Sequence, residues 1–125
     1  MRRLAGTALV VAVMAAAPAA HAADAVTYEI TSESVPMLNN VEYMDAGGRR
    51  LIENVALPWR LDVALADADA VSGHAAQLRA DWRPSARPAQ WVVVAIYQNG
   101  TLLCRSVLDV GNATCYGSTP HVTTD

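Results

Sequence analysis

The residues best suited to hold a metal ion lie together in one short acidic stretch. Asp67 and Asp69 are two positions apart, and His74 follows five positions after Asp69. Carboxylates and an imidazole at this spacing could share a hard divalent cation, but the stretch lacks the further oxygen ligands and the glycine of a calcium-binding loop. A plain acidic loop is therefore the preferred interpretation, and we expect neither a metal nor a cofactor.

Motifs of covalent and zinc-dependent catalysis are missing from the sequence. A serine hydrolase would show its nucleophile within Gly-x-Ser-x-Gly, and a zinc protease would show His-Glu-x-x-His; the chain contains neither. It also contains no lysine, which excludes a lysine Schiff base. We therefore expect a protein that is not an enzyme.

The candidate binding residues are tryptophans and arginines close to prolines. Trp59 borders a proline bend and Trp82 borders a proline-rich loop, where an aromatic ring can either pack or line a ligand groove, since it combines apolar area with an indole N–H. For Trp91, which lies inside the strongest strand pattern, we expect packing in the core or at its rim. Arg83 and Arg87 could hold an anion or simply keep a loop solvated. The candidate binding surface is therefore Trp59, Trp82 and Arg83.

Residues 1–22 have the three parts of a secretory signal peptide. Two arginines form the basic start, residues 4–17 form an apolar stretch, and Ala-His-Ala at residues 20–22 forms a cleavage site. An uncleaved membrane anchor is the alternative, but a spanning helix needs about 20 apolar residues and this run is shorter. We expect cleavage after the signal and export to the periplasm, the cell envelope or the medium.

The remaining residues, 23–125, form a chain of single-domain size. This part keeps seven arginines against twelve acidic residues, which is a formal charge of −5. A negative charge of this kind argues against nucleic acid as a partner. We expect one domain over residues 23–125 and no binding of nucleic acid.

The two cysteines of this domain are predicted to form a disulfide bond, because the compartment is oxidising and a small core benefits from a cross-link. If the turn is centred between Asp109 and Val110, Cys104 and Cys115 lie directly opposite each other on neighbouring antiparallel strands, close enough to bridge. A redox-active or metal-binding pair is the alternative, but the spacing is not Cys-x-x-Cys. We therefore expect a structural disulfide.

Apolar and polar residues alternate along the whole domain, which is typical of half-buried strands. Asn99-Gly100 suits the positive φ angles of a type I′ hairpin turn, and Pro58, which lacks an amide hydrogen, belongs on a sheet edge or at a bulge. Residues 66–76 form a surface loop or one weak helical turn, and residues 118–125 a frayed tail. The predicted strand segments are 26–31, 41–44, 53–65 with a bend at Pro58, 77–82, 90–97, 102–108 and 113–117.

About seven short strands separated by frequent turns predict an all-β fold, namely a two-sheet antiparallel β-sandwich of the immunoglobulin-like kind. Each alternating strand needs a second sheet over its apolar face. A small barrel is the alternative.

Three segments and the cysteine pair resemble the mycobacterial MmpS family. The segments read VTYEIT at residues 26–31, VEYMDAGG at 41–48 and VALPW at 55–59, and the two cysteines come near the C-terminal end. The resemblance covers nearly all of residues 23–125. It implies a β-sandwich on the outer side of the cytoplasmic membrane, which acts as a non-catalytic accessory to MmpL transporters that export lipids or siderophores.

The chain differs from the family pattern at two places. Family members usually keep an N-terminal transmembrane helix, whereas the apolar segment of this chain is predicted to be cleaved. The first cysteine of the family precedes the Asp-Gly turn of its hairpin, whereas Cys104 follows Asn99-Gly100.

The sequence thus predicts an exported, non-catalytic cell-envelope protein that binds a transporter of the MmpL kind or another envelope partner. This function would require an exposed apolar patch near Trp59. The alternative is a free secreted or periplasmic carrier of a lipid or another apolar small molecule, which would require a cavity between the sheets.

Overall fold

The computed structural model describes residues 23–69, 75–118 and 121–122 of the chain. The predicted signal peptide in residues 1–22 lies outside these ranges, as does the candidate metal ligand His74.

The described residues form nine β-strands and a single 3₁₀ turn at Arg83–Ser85. None of these residues belongs to a helix that could cross a lipid bilayer. The strands are β1 (Asp24–Thr31), β2 (Met37–Asp45), β3 (Gly48–Ala56), β4 (Trp59–Leu65), β5 (Gln77–Asp81), β6 (Val92–Gln98), β7 (Thr101–Leu108), β8 (Asn112–Tyr116) and β9 (His121–Val122).

The strands lie in two sheets that pack on each other. The five-stranded sheet has the order β4-β1-β6-β7-β9, and the four-stranded sheet has the order β3-β2-β5-β8. All neighbouring strands are antiparallel except β7 and the two-residue β9, which are parallel. The predicted two-sheet antiparallel sandwich is confirmed, and the segment predicted as a frayed tail contains β9.

The core lies between the sheets, because alternate residues of each strand point to the same face. On β1 and β6, two neighbouring inner strands of the five-stranded sheet, alternate residues are buried from Val26 to Ile30 and from Val92 to Ile96. Each sheet thereby removes the apolar face of the other from water, which is the main driving force for the packing. The buried residues of these two strands include Val26, Tyr28, Ile30, Val92, Val94 and Ile96.

The predicted bend at Pro58 is the point where the chain passes from one sheet to the other. β3 is an outer strand of the four-stranded sheet, and β4 is an outer strand of the five-stranded sheet. Only Leu57 and Pro58 separate the two strands, and the peptide bond between these residues is cis. A residue without an amide hydrogen is tolerated here because it lies between two edge strands and interrupts no central ladder.

The hairpin between β6 and β7 has the predicted turn. The φ angle is 49° at Asn99 and 84° at Gly100, and a type I′ turn requires positive values at both central residues. The turn makes β6 and β7 direct neighbours over their whole length.

The predicted disulfide bond is present: Cys104 and Cys115 have an S–S distance of 2.05 Å and a Cα–Cα distance of 5.8 Å. The predicted hairpin register is wrong, because β7 and β8 lie in different sheets. Cys104 is paired with Ile96 of β6, and Cys115 with Leu78 of β5. The disulfide therefore joins the two sheets through the core. Cysteines on facing sheets can approach as closely as cysteines on neighbouring strands, and their spacing in the sequence does not distinguish the two cases.

Loss of this disulfide is expected to lower the free energy of unfolding by about 3 kcal/mol, because the cross-link closes a short loop in the unfolded chain. Urea unfolding should show the loss when Cys104→Ala and Cys115→Ala are combined. Reductant should lower the stability of the wild type and leave that of the double variant unchanged. Equal stability of the wild type with and without reductant would contradict the prediction.

A buried tyrosine also joins the two sheets. The hydroxyl of Tyr28, on β1, donates a hydrogen bond of 2.6 Å to the backbone carbonyl of Met44 and accepts one of 3.3 Å from the backbone N–H of Gln77. Both partners belong to the four-stranded sheet. Burial raises the pKa of Tyr28 to about 12, because a tyrosinate in the core would lose its hydration.

The raised pKa of Tyr28 predicts a loss of stability at alkaline pH. Above its ordinary value of 10.0 the unfolded chain releases this proton, whereas the folded chain keeps it until about pH 12. The free energy of unfolding should therefore fall by up to about 1.4 kcal/mol per pH unit in this window. Tyrosinate absorbance should show one of the four tyrosines ionising late, and Tyr28→Phe should remove that late step. Ionisation of all four at ordinary pH values in the folded protein would refute the assignment.

Candidate binding site

Successive strands run in opposite directions, so that their connections collect at two ends of the sandwich. β1, β3, β5 and β7 run toward one end, and β2, β4, β6 and β8 run away from it, as the strand pairing and the short connections require. The end toward which β1, β3, β5 and β7 run is called the loop end. It consists of residues 32–36, 57–58, 82–91 and 109–111.

Hydrogen bonds fasten these connections to one another. Each bond joins two different connections, so the loop end presents one continuous surface instead of four independent loops. From donor to acceptor, the bonds run from Leu57 N to Pro36 O at 3.0 Å, from Trp82 N to Gly111 O at 2.8 Å and from Ser32 Oγ to Trp91 O at 2.6 Å.

The predicted surface residues Trp59, Trp82 and Arg83 lie at or beside the loop end but differ in exposure. Trp59, the first residue of β4, is half-buried and contacts Tyr43, with ring centroids 5.9 Å apart. Trp82 is fully buried, and its indole Nε1 has no hydrogen-bond partner among the described residues. Trp82 therefore belongs to the core and not to a binding surface, since no part of its side chain reaches the solvent.

Arg83 is exposed, but its guanidinium is engaged by a buried carboxylate. Its Nη2 lies 2.6 Å from Oδ2 of Asp81, and its Nε lies 3.1 Å from both carboxylate oxygens. Burial alone would raise the pKa of Asp81, but hydrogen bonds from Arg83 and the charges of Arg83 and Arg79 outweigh burial and lower it. Arg83 thus stabilises Asp81 and offers no unpaired cation to an anionic ligand.

Trp91, for which packing in the core or at its rim was expected, is 45% exposed. β6 begins only at Val92, so Trp91 belongs to the connection before the strand. The nearby Pro88 is the signal in the sequence that could have indicated this position, since proline interrupts strand pairing.

A cleft of about 470 Å³ opens beside Trp91, and we call it the Trp91 cleft. The end of β1 and the connection that follows also line it, and they supply hydroxyl groups and the carboxylate of Glu33. This carboxylate has no ion-pair partner among the described residues. The other lining residues are Thr31, Ser32, Ser34, Ala89 and Val93.

A second cleft of about 430 Å³ is lined partly by Val35 and Pro36. Met37 lines it and is 49% exposed. Asn39 contributes a buried Oδ1 that has no hydrogen-bond partner in the described part of the chain. Neither cleft is enclosed between the sheets, where a carrier of an apolar molecule would need its cavity.

In the structure, the carboxylate of Asp24 lies close to those of Asp67 and Asp69. Oxygen atoms of Asp24, Asp67 and Asp69 lie within 4.8 Å of one another, at the end opposite the loop end. Asp24 also connects β1 to its surroundings, because its carboxylate accepts hydrogen bonds from several described residues. The donors are Ala68 N at 3.1 Å, Gln98 Nε2 at 3.0 Å and Asn99 Nδ2 at 3.1 Å.

Comparisons with known proteins do not assign the chain to a family. No protein-family model matches the chain, and no curated protein matches its sequence. The resemblance to the MmpS family therefore stays a prediction from the residues that carry it.

The contact between Arg83 and Asp81 predicts that Arg83 is needed for stability. Arg83→Ala should lower the free energy of unfolding by clearly more than the roughly 0.5 kcal/mol typical of surface substitutions, because it leaves a buried carboxylate without its nearest cation. The loss of stability caused by Arg83→Ala should become smaller as the pH falls below about 4. The pKa of Asp81 is lowered from its ordinary value of 3.8, and protonation at low pH removes the charge that Arg83 stabilises.

Arg87→Ala is the matched control, because it removes an exposed arginine from the same connection, and this arginine has no ion-pair partner among the described residues. It should leave stability within about 0.5 kcal/mol of the wild type. Urea unfolding at neutral and acidic pH measures both variants. Equal effects of the two substitutions at neutral pH would contradict the structural role of Arg83.

Proposed function

We propose that the chain is an exported, non-catalytic cell-envelope protein that binds a membrane transporter or another envelope protein through one side of the sandwich. This side consists of β3 and β4, and we call it the β3–β4 flank. The role is that of the MmpS-type transport accessory proteins that the sequence resembles.

The observation that carries the proposal is a pair of long outer strands on the same side of the sandwich, which have no further neighbouring strand among the described residues. β3 has nine residues and β4 has seven, and they are outer strands of the two sheets. An outer strand presents a row of backbone N–H and C=O groups that face no neighbouring strand. A partner protein can extend either sheet by adding a strand of its own there.

The opposite flank offers much shorter edges. Its outer strands are β8, with five residues, and β9, with two. Very short edge strands are one of the devices by which proteins prevent unwanted strand pairing. The difference between the flanks favours β3 and β4 as the side that receives a partner.

Side chains of the β3–β4 flank suit the same role. Leu51 on β3 is 55% exposed, and Trp59 on β4 is half-buried at the margin of the core. The neighbouring Arg49 and Arg50 are exposed and place charged side chains on this edge, with Arg50 paired to Asp45 at 2.8 Å; charged edge residues restrict unwanted strand pairing. The flank therefore combines an apolar anchor with charges that can select a partner.

Export is supported by the disulfide between Cys104 and Cys115, since such bonds persist in oxidising compartments outside the cytoplasm. It is supported further by the signal-peptide pattern of residues 1–22. The alternative of a free apolar carrier has less support, because the two large clefts open at the loop end and the buried residues of both sheets form one packed cluster.

Site-specific photo-cross-linking in the native host tests the proposed docking side. A photoreactive amino acid in place of Leu51 should cross-link to an integral membrane transporter, identified by mass spectrometry of the cross-linked peptide. The matched control carries the same amino acid in place of Tyr116, which is 47% exposed on β8 at the opposite flank. Both positions are exposed, so neither replacement should disturb the fold.

A transporter captured from position 51 and not from position 116 would support the proposal. Capture from position 116 alone would overturn the assignment of the flank. Recovery of the protein entirely from the culture medium, with no cross-linked partner at either position, would overturn the accessory role itself.

A further inference from the structure

We infer that the Trp91 cleft is a saccharide-binding site, in which a pyranose ring stacks on the indole and its hydroxyl groups bond to the polar side of the cleft. This inference goes beyond the proposed function, because it concerns the loop end and requires no transporter.

The apolar half of the cleft is provided by the exposed indole of Trp91. The residue is 45% exposed and forms part of a concave surface instead of standing alone on a convex one. One face of a pyranose ring consists of C–H groups, and stacking on an indole removes both apolar surfaces from water. Val93, which is half-buried in the same cleft, extends this apolar side.

The polar half of the cleft is formed by residues 31–34, which lie beside the segment that carries the indole. The carboxylate of Glu33 and the hydroxyls of Thr31 and Ser34 have no hydrogen-bond or ion-pair partner among the described residues. A carboxylate accepts two or more hydrogen bonds, and a hydroxyl can both donate and accept. The hydroxyl rim of a sugar ring supplies donors and acceptors of the matching kind.

The two halves are held at a defined separation by Ser32. Its hydroxyl donates to the backbone carbonyl of Trp91 at 2.6 Å and accepts from the backbone N–H groups of Ser34 and Val35 at 3.2 and 2.9 Å. One side chain therefore connects the polar side of the cleft to the residue that carries the indole. A preorganised site loses less conformational entropy when a ligand binds.

The connection that leads to Trp91 is also constrained. Ala89 has a φ angle of 62°, a left-handed conformation that is uncommon for a residue with a side chain and often occurs at ligand sites. The side chain of Gln90 accepts a hydrogen bond of 3.0 Å from the backbone N–H of Arg87. Trp91 is thus presented by a folded segment with its own hydrogen bonds.

Other classes of small ligand fit the cleft less well. The volume of about 470 Å³ lies within the range of roughly 300–1,000 Å³ found for small-molecule sites. Quaternary ammonium groups are held by cages of several aromatic rings, whereas the described residues that line this cleft include one aromatic residue, Trp91. A fully apolar ligand would cover the carboxylate of Glu33 without giving it a partner, which is costly.

Titration of the full chain with a panel of soluble hexasaccharides tests the inference. The panel contains cello-, malto-, manno-, xylo- and chito-hexaose, with tetramethylammonium chloride as the cationic probe. At least one hexasaccharide should bind by calorimetry and shift tryptophan emission to shorter wavelength, because the exposed indole loses contact with water. Trp91→Ala should weaken this binding by about tenfold or more, and Glu33→Gln should weaken it as well.

Tyr116→Ala is the matched control, since Tyr116 has nearly the same exposure, 47%, and does not line the cleft. It should bind the hexasaccharide with wild-type affinity. Ser32→Ala should reduce affinity, whereas Ser32→Thr, which keeps a hydroxyl group, should retain it, as expected of a positioning residue.

Absence of binding to every hexasaccharide up to about 10 mM would overturn the inference, because the affinity would then be below that of a weak specific site. Undiminished binding of a hexasaccharide by Trp91→Ala would also overturn the inference. So would binding of tetramethylammonium in preference to all sugars. Cross-linking from position 51 is independent of these outcomes, so this inference and the proposed docking can fail separately.

Discussion

The contact between the apolar faces of the two sheets is the interaction on which the rest of the structure depends. Each sheet has only four or five strands, and strand alternation leaves each with one apolar face that water does not solvate well. The hydroxyl of Tyr28 and the disulfide between Cys104 and Cys115 both cross this contact. They add a directional and a covalent link to a packing interaction that has no direction of its own.

The same contact divides the surface into regions with different properties. Because successive strands alternate in direction, the connections collect at two ends while the outer strands of both sheets form two flanks. Backbone groups able to receive a further strand lie on the β3–β4 flank, whereas the exposed indole of Trp91 lies at the loop end. These surfaces share no residue.

The fold could be predicted because strand alternation and turn residues are visible in short stretches of sequence. The exposure of individual side chains could not be predicted in this way. Val92, Val94 and Ile96 alternate with their neighbours and are all fully buried, as the period of a strand requires. Trp82 and Trp91 border the same proline-containing connection, yet Trp82 is covered completely and Trp91 is not. The residues next to Trp82 and Trp91 in the sequence do not reveal this difference in exposure. Burial of each ring depends on which distant segments cover it.

By itself, the sequence determined the approximate positions of β1 to β8, the turn at Asn99-Gly100 and the pairing of the only two cysteines, because these depend on residue type and on neighbours a few positions away. Tertiary structure alone decided that β7 and β8 join different sheets, which places Cys104 and Cys115 across the core. It also brought Glu33 and Trp91 to the same cleft. The physical reason is that strand alternation defines which residues share a face, but not which other strand will cover that face.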